Sequence, residues 1–447
     1  MELPFLNRVE EMRRLTRFLR RGTGSLATVF GRRRGGKSRL LQEAVASDRG
    51  IYFLADEREP SLQRASLARE MARLLPGFAE VQYPDWEALL GRWWREAPRG
   101  TTLILDEFPA LVSMDASLPG VLQRQHDLGK NQGVHLILCG SSQRMMQGLV
   151  LDRTAPLFGR STEILKIDPL PAGWIREALP GLSATEAVEA FSLWGGVPRY
   201  WELAADFSDS WSALQDLVLD PLGVLHQEPL TLLLDDLRDP AQSASILELI
   251  GRGCHRPSEL AARLEKPVTS LSRPLQRLVE LGLVVRERPF PGLEKRTLYR
   301  LADPFLRFWF RFVAPNRSAL ARRNEGMVAS IRADLGLHVA TVWEDLVRAA
   351  VPGSKLFGLE WGEAQRWWSK AAEVDVVAES TDGSALLVGT VKWEQRTDVG
   401  RALGELERVN ALIPGSQGRE VFRCGWVRSG KARANVLGPE WVLDRLR

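Results

Sequence analysis

The sequence predicts an α/β protein whose first part is a parallel sheet built around a phosphate-binding loop, with helical and mixed α/β modules behind it. Three observations predict this. Residues 31–38 read GRRRGGKS, placed behind the short apolar run SLATVF and ahead of SRLLQEAV, which has helical spacing. Residues 101–108, TTLILDEF, are an apolar strand that ends in two carboxylates. Residues 133–142, GVHLILCGSS, are a further apolar strand ending in small polar residues. Continuous apolar strands separated by helical segments are what a sheet covered on both faces requires.

The loop matches G-x-x-x-x-G-K-[ST] without departure. Gly31, Gly35 and Gly36 let backbone amides converge on a phosphate, and the helix behind them directs its positive end at it. Lys37 is then expected to reach the β- and γ-phosphates and Ser38 to ligate magnesium, with Arg34 and Arg39 in the same nucleotide-binding stretch. At the end of the carboxylate-bearing strand, Asp106 is expected to hold Mg2+ through water. Glu107 is expected to polarise the attacking water, which places Glu107 and Lys37 in catalysis. The guanine-reading motif N-K-x-D is absent, so ATP is the expected nucleotide. Ser141 or Ser142 either senses the γ-phosphate or caps the next helix, and the residues leave both readings open.

With 447 residues, 45% of them hydrophobic and 26% charged, the chain has the balance of a globular protein of two to four domains. The start, MELPFLNRVEEMRRL, has no apolar run behind a basic segment, and no uncharged apolar window of about 18 residues occurs. A cytoplasmic protein with no export signal and no membrane span is therefore expected. Cys139, Cys254 and Cys424 are far apart, which argues against a disulfide framework or a zinc site and for core or incidental thiols. The net charge of +4 is only a weak pointer to an anionic partner.

Residues 171–237 carry amphipathic helices, WIREALPGLSATEAVEAFSLW and WSALQDLVLD among them, and read as a helical lid. From 238 to 318 the segments SASILELIGRG, RPSELAARLEK and TSLSRPLQRLVELGLV precede VVRERPFPGLEKRTLYRLAD. The order helix, helix, helix, strand, turn, strand describes a winged helix. Its third helix carries Arg273 and Arg277 beside Ser270 and Ser272, suited to phosphate or base contacts. Arg286, Arg288, Lys295 and Arg296 fall in or near the wing. Pro274 is tolerable only near that helix's first turn. DPFLRFWFRFV then reads as an apolar aromatic helix that locks the winged helix to the C-terminal region. From 319 to 447 the chain reads as a helix in VATVWEDLVRAAV, a hairpin in QRWWSKAAEVDVVAES, a strand in SALLVGTVKWEQR and a helix in GRALGELERVNALIPG.

FLNRVEEMRRL, GRRRGGKS, LILDEF, CGSSQRMM, APLFGRST and WGGVPRYW occur in this order, with DPFLRFWFRF behind them. Together they resemble the archaeal-type ATPases, relatives of the AAA+ and STAND P-loop NTPases, over about residues 4–395. The resemblance implies an ASCE-type sheet in residues 1–170 and adenine contacts at Asn7 and Arg8. Gly196-Val197-Pro198 is similar to the GxP element, whose proline, here Pro198, packs near the base. Arg160, and less directly Arg153, are candidates for reaching the γ-phosphate from a neighbouring subunit of a homo-oligomer or from the lid; the alternative for Arg160 is a plain ion pair. In such relatives the C-terminal region resembles a PD-(D/E)XK fold, an α/β restriction-endonuclease-like domain. Glu344, Asp375 and Lys392 fall on three of its four active positions, and Thr390 stands where an acid belongs. Threonine is a weak metal ligand, so the expectation is a degenerate nuclease-like domain used for binding, with Glu373 the acid able to move into the site. The implied function is an ATP-driven switch acting on double-stranded DNA or on a protein partner. The alternative is an ATP-regulated, metal-dependent DNA nuclease engaged in mobile-element or phage conflict.

Overall fold

Leu26–Phe30 (β1), Thr102–Asp106 (β3) and His135–Gly140 (β4) are buried at every residue, as strands covered on both faces must be. With Gly50–Leu54 (β2) and Ser161–Lys166 (β5) they form one sheet in the order β2-β3-β4-β1-β5. All its pairings are parallel. The structure, a computed structural model, describes residues 3–46, 48–237, 239–291, 297–429 and 435–447, so Lys295 and Arg296 of the expected wing lie outside the described residues. β4 stands between the strand that enters the phosphate loop and the strand that ends in Asp106, which is the ASCE arrangement. The apolar residues of β1 to β4 pack against Leu67, Trp86, Trp93, Phe108 and Leu122 from the flanking helices. Helix Val9–Leu19 is tied to β5 by Glu163, whose buried carboxylate takes Arg14 at 2.7 Å and Arg17 at 2.5 Å.

The chain divides into two compact units. One is Asn7–Pro169 with Asp235–Leu237, and the other is Met1–Leu6, Leu170–Leu234 and Arg238–Arg447. The segments expected as lid, winged helix and nuclease-like domain thus share the second unit, apart from three residues. In it, helices Pro240–Gly251, Pro257–Arg263 and Ser272–Glu280 are followed by the antiparallel pair Val284–Glu287 (β6) and Leu298–Leu301 (β7). Pro274 sits in the first turn of its helix, where its missing N–H costs nothing.

The aromatic stretch is core. Pro304–Phe308 continues as a π-helical turn, Trp309–Val313. The Trp309 indole donates to the His226 carbonyl at 2.8 Å, and Phe305 lies 4.7 Å from the Tyr200 ring. Farther on, Lys355–Leu356 (β8), Leu359–Trp368 (β9), Glu373–Ser380 (β10), Ala385–Lys392 (β11), Glu420–Val427 (β12) and Val436–Leu437 (β13) make a second sheet in the order β13-β12-β11-β10-β9-β8. β10 runs antiparallel to both β9 and β11, while β12 joins β11 in parallel. Helix Glu325–Ala350 packs on β9, β10 and β11, and helix Val399–Val409 on β11 and β12. The last helix, Pro439–Arg445, has no counterpart in the sequence reading. It lies so close to Gly173 that a Cβ there would meet the Leu443 carbonyl oxygen at 2.2 Å. Among the described residues no helix is long and apolar enough to cross a membrane.

His338 gives this unit a pH dependence. It is fully buried on helix Glu325–Ala350, set edge-on to Phe308 and Phe312, with Nε2 2.7 Å from the Ser192 carbonyl oxygen. Burial pushes the imidazole down to about 3, against the pull of that carbonyl. The unfolded chain therefore binds a proton below about pH 6.5 that the folded chain refuses, and stability falls with pH by about 1.4 kcal/mol per unit through that window. His338→Leu should lower the melting temperature at pH 7.5, because Ser192 loses its partner, yet lose less between pH 7.5 and 5.5 than the wild type does. Equal losses in the two proteins over that range would remove His338 as the cause.

Candidate functional site

The carboxyl ends of β1, β3 and β4 converge on one edge of the first sheet, with Phe30 in register with Gly140, and Leu105 with Leu138. Gly31 to Ser38, Asp106 with Glu107, and Ser141 with Ser142 lie directly at these ends, which is where open α/β sheets bind ligands.

The loop needs its first glycine. Gly31 has φ +156°, and a Cβ there would lie 2.4 Å from the Ile167 carbonyl oxygen. Arg34 takes the left-handed region at φ 65°, and Gly36 does so at φ 87° as the N-cap of helix Lys37–Ala44. No side chain caps that helix, so its first amides face the loop, a donor set suited to phosphate oxygens. Arg39 lies in the first turn. The Lys37 ammonium, on a side chain only 6% exposed, donates to the Gly31 and Arg32 carbonyls at 2.9 and 3.1 Å.

Asp106 is the hub of the site. Its Oδ2 accepts from Ser38 Oγ at 2.7 Å and from the Tyr52 hydroxyl, and its Oδ1 from the Glu107 amide at 2.9 Å. Burial alone would raise its pKa; hydrogen bonds from the Cys139 thiol, Tyr52, Ser38 and the Glu107 amide outweigh this and hold it below the usual carboxylate range. The same environment raises Tyr52 and Cys139, chiefly through burial, so both stay protonated as donors. The Ser38 hydroxyl and the Asp106 carboxylate are oxygen ligands of the kind a hard divalent cation takes. Glu107 adopts φ 52° and turns its carboxylate to Ser141, whose amide and hydroxyl donate at 3.2 and 3.0 Å. Ser142 caps helix Gln143–Met146 and donates to Asp236 Oδ1 at 3.1 Å and to the Asp235 carbonyl at 3.2 Å. The two serines are therefore divided, one holding Glu107 and the other capping a helix.

Asn7 and Arg8 are both left-handed, at φ 57° and 67°. Arg8 is 5% exposed and donates to the Gly35 carbonyl at 3.1 Å and the Asp168 carbonyl at 2.8 Å, so it braces the phosphate loop against the segment behind β5. Pro198 lies in the other unit, opening helix Pro198–Ala204 behind the Gly195-Gly196 turn.

Arg160 makes the plain ion pair that is its alternative reading. Its guanidinium grips Asp127 at 2.8 Å and donates to the Pro156 carbonyl at 2.8 Å. It directly precedes β5, whose first residue pairs with Leu26 at the start of β1, and Lys130 near Asp127 bonds Gly24 ahead of β1. Arg160 thus sits at the amino end of the sheet, about 16 Å of strand away from the phosphate loop. It does not serve the nucleotide of its own chain. Arg153 is exposed.

In the second unit, β10 and β11 bring Asp375 beside Thr390. Asp375 Oδ2 accepts from the Val391 amide at 2.8 Å and from Thr390 Oγ1 at 3.4 Å, and Lys392 ends the same strand. Glu344, on the helix packed over them, has its pKa raised by burial and then by the charge of Asp375. Arg348 lies beside Glu344, its Nη1 3.6 Å from that carboxylate, and the same nitrogen donates to the main-chain carbonyl of Asp375 at 2.9 Å. Glu373 instead pairs with Arg366. Among the described residues no group of three or more acids, histidines or cysteines is placed to hold a metal.

Sequence reasoning missed Tyr52, Cys139, Asp235, Asp236 and Arg348. GIYFL and LILC read as plain strands, and only the register of β2 against β3 puts Tyr52 next to Asp106.

Residues 5–203 match the family described as an ATPase domain predominantly from Archaea, and residues 309–403 match a family described as "Archaea bacterial proteins of unknown function". An uncharacterized protein of Methanocaldococcus jannaschii is 29% identical over 419 residues, 92% of each chain. A Walker-type ATPase of Pyrococcus abyssi shares the fold at 20% identity, with a TM-score of 0.53 over 68% of this chain and 95% of the other. The phosphate loop, the Asp106 hub and the five-stranded parallel sheet agree with these matches: residues 5–203 form a P-loop ATPase domain of the kind found predominantly in Archaea.

Proposed function

We propose that the protein is an ATP-hydrolysing conformational switch, in which nucleotide state in the first unit changes how the second grips double-stranded DNA or a protein partner. One observation carries the hydrolytic half: the Glu107 carboxylate takes no part in the Asp106 hub and, among the described residues, accepts from Ser141, one residue beyond the carboxylate that faces Ser38. Lys37 neutralises the β- and γ-phosphates, the loop amides orient them, and Glu107 takes the proton of the attacking water. A magnesium ion on Ser38 and, through water, on Asp106 would supply charge neutralisation to the phosphates. Asn7 and Arg8 contact the adenine side, and Ser141 reports the γ-phosphate by letting go of Glu107.

The binding half rests on residues 238–318, read as a winged helix with Ser270, Ser272 and Arg273 exposed at its third helix. It rests also on residues 319–447, read as a PD-(D/E)XK-like domain. There Thr390 replaces an acid and the Arg348 guanidinium lies beside Glu344, bonded to the main-chain carbonyl of Asp375. A fixed cation in that position repels a metal ion, which favours binding over cleavage. Such a switch works only if ATP binds one state better than the other, since equal affinity shifts nothing.

The test is magnesium-dependent ATP hydrolysis with and without double-stranded DNA, using Lys37→Ala as the blank. Stimulation of several-fold by DNA is the expected result, and turnover indifferent to DNA would redirect the reading to a protein partner. Metal-dependent nicking of DNA that vanishes in Asp375→Ala would replace the binding role with the nuclease one.

A further inference from the structure

A cavity of about 700 Å³ opens in the second unit between the β6–β7 hairpin, the aromatic helix, helix Glu325–Ala350 and β9. Arg286, Arg288, Arg300, Arg307, Arg348 and Arg366 line it, together with Glu287, Asp345 and Glu363. Three of these arginines are built in rather than solvated: Arg300, Arg307 and Arg348 are 8, 9 and 9% exposed. They converge on one carboxylate. Asp345 takes Arg348 at 2.5 Å, Arg307 at 2.7 Å and Arg300 at 3.5 Å.

One carboxylate cannot saturate three guanidinium groups, each with five N–H donors. Arg300 has a second acid in Glu287 at 3.2 Å, and Arg348 reaches Glu344 at 3.6 Å. Arg307 has no second acid among the described residues. Its Nη2 donates to the Leu301 carbonyl at 2.8 Å, while its Nη1 is buried with no partner among the described residues. An unpaired buried donor on a charged group is costly.

We propose that this cavity binds a terminal phosphate, held by Arg307, Arg348 and Arg300, on a ligand of nucleotide size. Guanidinium groups from different elements match the oxygens of a phosphate in forked geometry. The volume is in the range that holds a small phosphorylated molecule. No aromatic ring lines the cavity among the described residues, so recognition rests on the phosphate and not on a stacked base. A free nucleotide or pyrophosphate and the 5′ end of a DNA strand offer the same group. All the lining residues lie outside the phosphate-loop unit, so the site is distinct from the ATP site.

Titration calorimetry of inorganic pyrophosphate into the full chain carrying Lys37→Ala, which silences the phosphate loop, should show one saturable site. Adding Arg307→Gln should weaken it at least tenfold. Arg366→Gln, at the partly exposed mouth, should weaken it several-fold without a change in melting temperature and serves if the buried variant does not fold. Arg401→Gln, on an exposed helix face, should leave it unchanged. Absent binding, or equal affinity in the Arg307→Gln and Arg366→Gln proteins, overturns the site. A preference of tenfold or more for a 5′-phosphorylated over a 5′-hydroxyl thymidine octamer identifies a strand end. Pyrophosphate binding with neither octamer bound identifies a small phosphorylated ligand.

Discussion

Lys37→Ala should raise the dissociation constant for ATP by about a hundredfold or more, which in a titration at micromolar nucleotide reads as loss of binding. The side chain is nearly buried, and its ammonium is spent on the Gly31 and Arg32 carbonyls. A triphosphate in the loop offers oxygens with full negative charge in place of these neutral acceptors. Each hydrogen bond to a charged group is worth about 1.5–3 kcal/mol, and a tenfold change in affinity is about 1.4 kcal/mol, so losing one or two such bonds gives the stated range. Alanine leaves the two carbonyls without their donor, and a modest fall in melting temperature of the nucleotide-free protein should accompany the loss. Fluorescent-ATP titration with a melting control separates the two effects. A dissociation constant within threefold of the wild type would mean that the loop amides alone hold the phosphates, and the site would need another cation.

What was legible in the sequence was what is local in it. Gly31 to Ser38 work as one continuous loop, and Asp106 and Glu107 are adjacent, so spacing alone exposes them. Tyr52 and Asp106 are 54 residues apart and Ser142 and Asp236 are 94 apart; each pair meets only because strands and returning helices bring it together. Arg160 shows the reverse case: its motif left open a γ-phosphate contact from a neighbouring subunit or the lid and a plain ion pair, and strand direction puts it at the amino edge of its own sheet, paired with Asp127. Arg348 was invisible for a different reason. An arginine four residues beyond Glu344 on a helix reads as an ordinary i,i+4 pair, and only the approach of β10 brings it to the main-chain carbonyl of Asp375.

Glu107→Gln should bind ATP within about twofold of the wild type and hydrolyse it about a hundred to a thousand times more slowly, the scale of losing a general base. The geometry separates this residue from a structural acid. Glu107 is the N-cap of helix Phe108–Met114, yet its side chain makes no cap bond and turns to Ser141 instead. Its left-handed backbone costs of order 1–3 kcal/mol for a residue with a Cβ, and strain of that kind persists where the side chain's aim is used. Glutamine keeps the shape and can still accept both Ser141 bonds, so folding and the phosphate contacts of Lys37 and the loop amides stay as they are. Only the capacity to take a proton is gone. Single-turnover hydrolysis with bound ATP measures the chemical step apart from affinity. Wild-type turnover in Glu107→Gln would show that the carboxylate is no base here, leaving activation of the water to the loop, the metal and the field of Asp106.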